Sequence, residues 1–335
     1  MKQFLTALVL LLAIFLAFTR LAEVSRVVAT LQHGNVFWLT LAALAQLAWL
    51  VNVAMVFRST YRLLGMDAGL WQLLPLVIAG NFLNVVAPSG GVSGMAVFIA
   101  DARRRNLSTA RVTIAGVLFL LFDYAGFLVV LAVGLLVLVR RNQMTAADIG
   151  ATIILLGIAT VMASLLALGV RSAEELERAL VWGARLVNRL LRPILRRDYL
   201  SESRAHSFAA EAAEGLSALR THWTDYLLPT ALSLSAKALL IAVLFLTFLA
   251  FGQPFSVGTL IAGFSIGFLF LIVSPMPSGI GIVEGVMTLA LVSLRVPLEA
   301  ATVITLAYRG ITFWLPFGYG FVALRYLQRT GTAPA

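Results

Sequence analysis

The stretch SPMPSGIGIVEG, Ser274–Gly285, places two prolines, three glycines and a glutamate inside an otherwise apolar region. Proline lacks an amide hydrogen and clashes with the preceding helical turn, so Pro275 and Pro277 end a helix arriving from the N-terminal side. Gly279 and Gly281 permit a tight reversal. Glu284 then falls about two turns into the next helical piece, at 3.6 residues per turn. Non-helical backbone at membrane depth survives only where protein or a watery cavity surrounds it. The stretch therefore predicts the tip of a hairpin of two half-helices.

The surroundings establish the membrane. Of 335 residues, 61% are hydrophobic and 12% charged, with a mean hydropathy of +0.96; soluble domains carry roughly 25% charged residues. Several apolar windows reach about 20 residues, enough to cross a hydrocarbon core. Cysteine is absent, which excludes disulfides, thiolate metal sites and cysteine nucleophiles. The formal net charge is +10, and all but Lys2 and Lys237 of the 25 basic residues are arginine. These charges lie between apolar spans, which favours anionic lipid headgroups and an orienting role over nucleic acid.

Full spans are expected near residues 3–19, 36–57, 112–139, 148–170, 226–251 and 300–325. The first, MKQFLTALVLLLAIFLAFTR, has Lys2 before an apolar run but no small-x-small cleavage pattern after it, and reads as an uncleaved span. Residues 71–87 run into PSGGVSG, and residues 257–274 into PMPSGIG. Both read as half-helix, break, half-helix, with Pro88, Gly90 and Gly91 forming the first break. Arginines cluster at 101–111, 171–225 and the C-terminal end, which predicts cytoplasmic placement of those segments and of both termini. Arg140 and Arg141 run against that orientation.

Residues 171–225 do not read as a span. Ser172 and Glu175 fit a capping box. Leu176, Leu180, Val187, Leu190 and Ile194 recur at helical spacing, while Arg178, Arg185, Arg189, Arg192 and Arg196 mark a basic face. This is the pattern of a helix lying among headgroups, with a cytoplasmic hairpin packed on the bundle as the other reading. A second, weaker amphipathic helix is expected near 203–220.

The two broken regions resemble each other. Residues 78–91 and 261–281 both begin IAG and reach PSG, and each break is followed by a span with one central charge, Asp123 in the first case and Arg309 in the second. With the orientation above, one copy enters from the cytoplasm and the other from outside. The expectation is an all-α, polytopic integral membrane protein: a single transmembrane domain over 1–335 with an inverted repeat (about 1–140 and 148–327), two re-entrant hairpins, and the insert at 171–225.

Asp123, Lys237, Glu284 and Arg309 lie inside apolar spans. A central charge costs about 2.5–3.5 kcal/mol on insertion scales and marks a substrate path by default. Two acids and two bases can also neutralise one another as structural pairs, and Glu284 has either Arg309 or Lys237 as its partner. A helix starting after Pro277 would aim its amides into the break, an environment suited to phosphate. Asn81 and Asn84 add neutral hydrogen-bonding groups. His33, His206 and His222 show no metal-ligand spacing, and no Walker A, G-x-S-x-G or H-E-x-x-H pattern occurs. No metal, cofactor or catalytic residue is assigned. A membrane transferase using Asp123 or Glu284 as base, and a non-transporting scaffold in a lipid-biosynthesis complex, stay open beside transport.

PMPSGIGIVEG followed by AYRGITFWLPFGYG closely resembles the second-half signature of the lysylphosphatidylglycerol synthase transmembrane family, the flippase-like region of the multiple peptide resistance factor and of stand-alone bacterial proteins. Pro275, Pro277, Gly279, Gly281, Glu284, Tyr308, Arg309 and Pro316 match, whereas Ser278 stands where glycine is usual. Asn81, Pro88 and Asp123 fit the first-half layout, but the arginine expected shortly before Asp123 is missing, as is the basic group after the Gly-rich turn. The resemblance covers essentially the whole chain. It implies movement of a phospholipid, hopanoid or glycolipid between leaflets of the bacterial inner membrane, with Tyr308 beside the path. Two-domain members of the family add a soluble aminoacyl-transferase domain, and none is expected in this chain. Self-association into a homo-oligomer is compatible with this reading.

Overall fold

The computed structural model describes residues 27–86 except 28, residues 92–171, residues 223–320 except 275, and residues 174, 175, 178, 181, 182, 185 and 323. The expected first span at 3–19, the helix at 203–220 and residues Pro88, Gly90, Gly91, Arg189, Arg192, Arg196 and Pro275 lie outside them. Arg178 and Arg185 are described, and both are helical and exposed.

Among the described residues all regular structure is helical. The elements are α1 (Val36–Leu63), α2 (Leu70–Val86), α3 (Val92–Arg104), α4 (Thr109–Arg140), α5 (Ala146–Arg171), α6 (Leu227–Ala250), α7 (Val257–Val273), α8 (Ile282–Ser293) and α9 (Leu298–Arg309). A π turn, Gly310–Trp314, carries α9 onward. Helix starts follow local chemistry: Asn35, Ser108 and Ser256 each turn a side-chain oxygen to an amide of the first turn, satisfying donors that a helix start leaves unpaired. α1, α4 and α6, the last with its preceding turn, are long and apolar enough to cross a membrane. Leu44 and Leu47 of α1 and Val129, Val133 and Leu136 of α4 are exposed, as lipid-facing residues of a bundle must be. The chain is a multi-pass, all-α membrane protein.

Two series of elements run in the same order: α1 to α4, then α6 to α9. Each has a long helix, a 17-residue helix, a helix of 13 or 12 residues and a further helix. α1 and α6 are antiparallel. The Asn35 amide donates to the Ala250 carbonyl at 2.8 Å, and Asn52 Nδ2 donates to Ser235 Oγ at 2.6 Å. The two series exchange contacts. α4 lies on α7, where a β-carbon at Gly134 would overlap the Ser265 side chain and where Ser265 Oγ donates to the Val130 carbonyl at 3.3 Å. In return, the stretch after the π turn lies on α2, where Phe317 meets Phe82 at 5.1 Å between ring centroids.

The matching IAG triplets do not occupy the same place. Ile78 is the ninth residue of α2, whereas Ile261 is the fifth of α7. The likeness of the two series resides in element order and length, not in that triplet. The last expected span differs as well: after Arg309 the α-helical ladder gives way to the π turn, just before Pro316, which has no N–H to offer it.

Candidate functional site

The reversal predicted at 274–285 is present. Pro277–Gly279 forms a short 3₁₀ turn in which Ser278 takes φ 51° and ψ 23°, followed by Gly279 at φ 66° and Gly281 at φ 80°. α8 then begins at Ile282, which puts Glu284 in its first turn. Glu284 uses both oxygens. Oε2 accepts from the Gly281 amide at 2.6 Å, and Oε1 accepts from Arg309 Nε at 2.5 Å. Arg309 Nη2 donates to the Ser278 carbonyl at 3.0 Å, and the guanidinium stands 4.6 Å from the centre of the Phe313 ring. The amide expected to lie open toward a phosphate is thus held by the chain's own carboxylate. Arg309 is 4% exposed and Glu284 13%, so each neutralises the other in a place where an unpaired ion would be costly.

The other two intramembrane charges form a second pair. Lys237 Nζ lies 2.6 Å from Asp123 Oδ1 and 4.1 Å from the centre of the Phe268 ring. Glu284 therefore meets Arg309, and Lys237 is taken by Asp123. Each pair combines a cation, a carboxylate and an aromatic face, an arrangement that stabilises a cation away from water.

Beside Arg309 is a cavity of about 160 Å³, lined among others by Trp49, Asn81, Asn84, Ser278, Thr312 and Phe313. α2 reaches it because it packs against the 277–279 turn. Asn84 Oδ1 accepts from the Gly94 amide at 2.6 Å and so ties α2 to α3. Asn81 Nδ2 and Trp49 Nε1 are buried donors with no hydrogen-bond partner among the described residues. The structure thus gathers Arg309, Asn81 and Asn84 around one space, with Glu284 behind Arg309. Asp123 and Lys237 do not line it, and Tyr308 is buried in the apolar core beside it. Trp49 gave no signal in the sequence, being one aromatic residue in an apolar span. Thr312 and Phe313 follow from Arg309 once the helix is drawn, because residues three and four apart share a face.

A polytopic helical membrane protein with a neutralised arginine–glutamate centre at a helix break is the class that fold and site define. The family model for the lysylphosphatidylglycerol synthase TM region matches residues 4–320, and the chain belongs to this family. Comparison with curated proteins and with solved structures gave no match.

Proposed function

We propose that the protein moves a polar-headed, phosphate-bearing lipid between the leaflets of the bacterial cytoplasmic membrane, and that it acts as a transporter and not as an enzyme. The observation that carries this reading is the double engagement of Glu284. Its carboxylate takes up both an arginine and a helix N-terminal amide, the two groups that favour phosphate. Glu284 is then the internal stand-in for the headgroup anion, and the cargo competes with it for Arg309. Asn81 Nδ2 and Trp49 Nε1, buried without partners, offer hydrogen bonds to further headgroup oxygens. A buried unmade hydrogen bond costs about 1–3 kcal/mol, which an acceptor-rich ligand recovers.

The architecture in this proposal is a single domain of two inverted repeats with re-entrant hairpins α2–α3 and α7–α8. The antiparallel α1–α6 contact and the reciprocal contacts of α4 with α7 and of the last helix with α2 support it, because a two-fold axis requires each contact to recur with the roles reversed. Both termini face the cytoplasm by the arginine distribution, and the basic residues at 178–196 collect anionic lipid there. Reconstitution into liposomes with leaflet-resolved labelled lipids of several headgroup classes, phosphatidylglycerol among them, tests the reading. Translocation above that of protein-free liposomes, lost in Arg309→Ala, supports it. No headgroup class moving faster than in protein-free liposomes overturns it.

A further inference from the structure

We propose that α1 to α4 form a slot for one acyl chain of the same lipid whose headgroup binds beside Arg309, an inference that rests on the transport reading above. A cavity of about 210 Å³ lies among these four helices. Its walls include Val53, Phe57, Val77, Met95, Phe98 and Val117. Phe57 gives it a rigid floor, with its ring stacked on Phe98 at 4.4 Å and on Phe119 at 4.2 Å. Its walls are mostly apolar, with Asn81, Asn84 and Thr113 as the polar side chains among them.

The slot is joined to the site. Asn81 and Asn84 line both this cavity and the one holding Arg309. An apolar space and a polar space therefore meet at two amide side chains, and one of these, Asn81, carries the unpartnered Nδ2. That junction suits the ester oxygens of a glycerophospholipid, where hydrocarbon chain and headgroup join. A small apolar molecule would leave the donor unpaired, and a free headgroup would leave the slot unfilled. Met95, Val117 and Leu120 on its walls are only partly buried, so a chain can reach it from the side.

The second series of helices shows how such a space closes. Matched from their first residues, α2 and α7 set Gly80 against Gly267, Val77 against Phe264 and Asn81 against Phe268. Phe264 is 1% exposed and packs with Leu240, Leu244 and Met287 in a closed core. The first series has a valine and an asparagine where the second has two rings, and the smaller side chains leave the room.

The experiment uses wild-type protein in vesicles of phosphatidylethanolamine and phosphatidylglycerol, doped with phosphatidylglycerol bearing a diazirine in one acyl chain. After illumination, mass spectrometry locates the label. The expected result is several-fold more label on Met95, Phe98 and Val117 than on the outward-facing Val133 and Leu136. Val77→Phe, which borrows the ring of the second series, should bring the slot label down to the outward-facing level in protein that still runs as a single species. Equal or lower label in the slot of the wild type overturns the proposal. The same vesicles read translocation separately. Movement without slot label removes the acyl slot alone, whereas slot label without movement removes the transport reading and keeps the slot as a lipid site.

Discussion

Lys237 and Asp123 are 114 residues apart in the chain and 2.6 Å apart in space, joining α6 to α4. Lys237 is 1% exposed and Asp123 19%, so removing either partner strands the other in a poorly solvated place. Breaking a buried pair costs about 3–5 kcal/mol, whereas replacing both partners with apolar residues is often neutral. Lys237→Met should therefore lower thermal stability in detergent sharply, and Lys237→Met with Asp123→Leu should recover most of the loss. A double variant no more stable than the single one would show that the charges do more than hold α4 to α6.

Arg309 makes two directed donations, to Glu284 and to the Ser278 carbonyl, and lysine has no fork with which to reproduce both. Losing one hydrogen bond to a charged group costs about 1.5–3 kcal/mol, equivalent to roughly 10- to 150-fold. Lysine likewise meets a phosphate as a point charge where arginine offers a fork, so Arg309→Lys is expected to slow phosphatidylglycerol translocation by that factor despite keeping the charge. A wild-type rate in Arg309→Lys would mean that charge alone suffices.

Glu284→Gln acts in the opposite sense on binding. It weakens the competitor for Arg309, so half-saturation should fall to lower phosphatidylglycerol content while maximal translocation also falls, since the bound anion leaves less readily. Titrating phosphatidylglycerol in the liposome assay separates the two effects. Half-saturation that rises or does not move would exclude Glu284 as the competing anion.

Ser278 occupies left-handed backbone at φ 51°, where a residue with a β-carbon is disfavoured by about 1–2 kcal/mol and glycine is not. The family pattern has glycine at this place. Ser278→Gly should raise stability by about 1 kcal/mol without loss of translocation, because Arg309 uses the backbone carbonyl there and not the hydroxyl. Thermal unfolding beside the liposome assay checks both halves.

Asn84→Ala would leave the Gly94 amide without the oxygen it now meets. A loss of about 1–3 kcal/mol is expected, together with faster hydrogen exchange at the start of α3. Unchanged exchange there would mean that another group takes the amide.

What could be read from the chain were its interruptions. Proline, glycine and charge inside apolar sequence are local anomalies, and they located the reversal at 274–285 and the four residues of the two intramembrane ion pairs. Pairing was not legible, because the choice between Arg309 and Lys237 for Glu284 depends on how helices far apart in sequence pack. Glu284 as a cap was closer to hand. The three-residue spacing recognised at Ser172 and Glu175 also separates Gly281 from Glu284, but glycine supplies no side chain, so only half of the motif exists. The cavity was least legible of all. It depends on Val77 and Asn81 being smaller than Phe264 and Phe268, a comparison that requires the helices to be matched by their first residues, whereas the IAG triplets suggest a different register.

The contact between Arg309 Nη2 and the Ser278 carbonyl makes the guanidinium the tether of the loop that it faces. Whatever draws Arg309 away also unties the turn between α7 and α8, so under the proposed transport reading recognition of an anion and loosening of the loop would be a single event. Selectivity and opening could then not be tuned separately: a variant that grips the cargo harder would also hold the latch open longer.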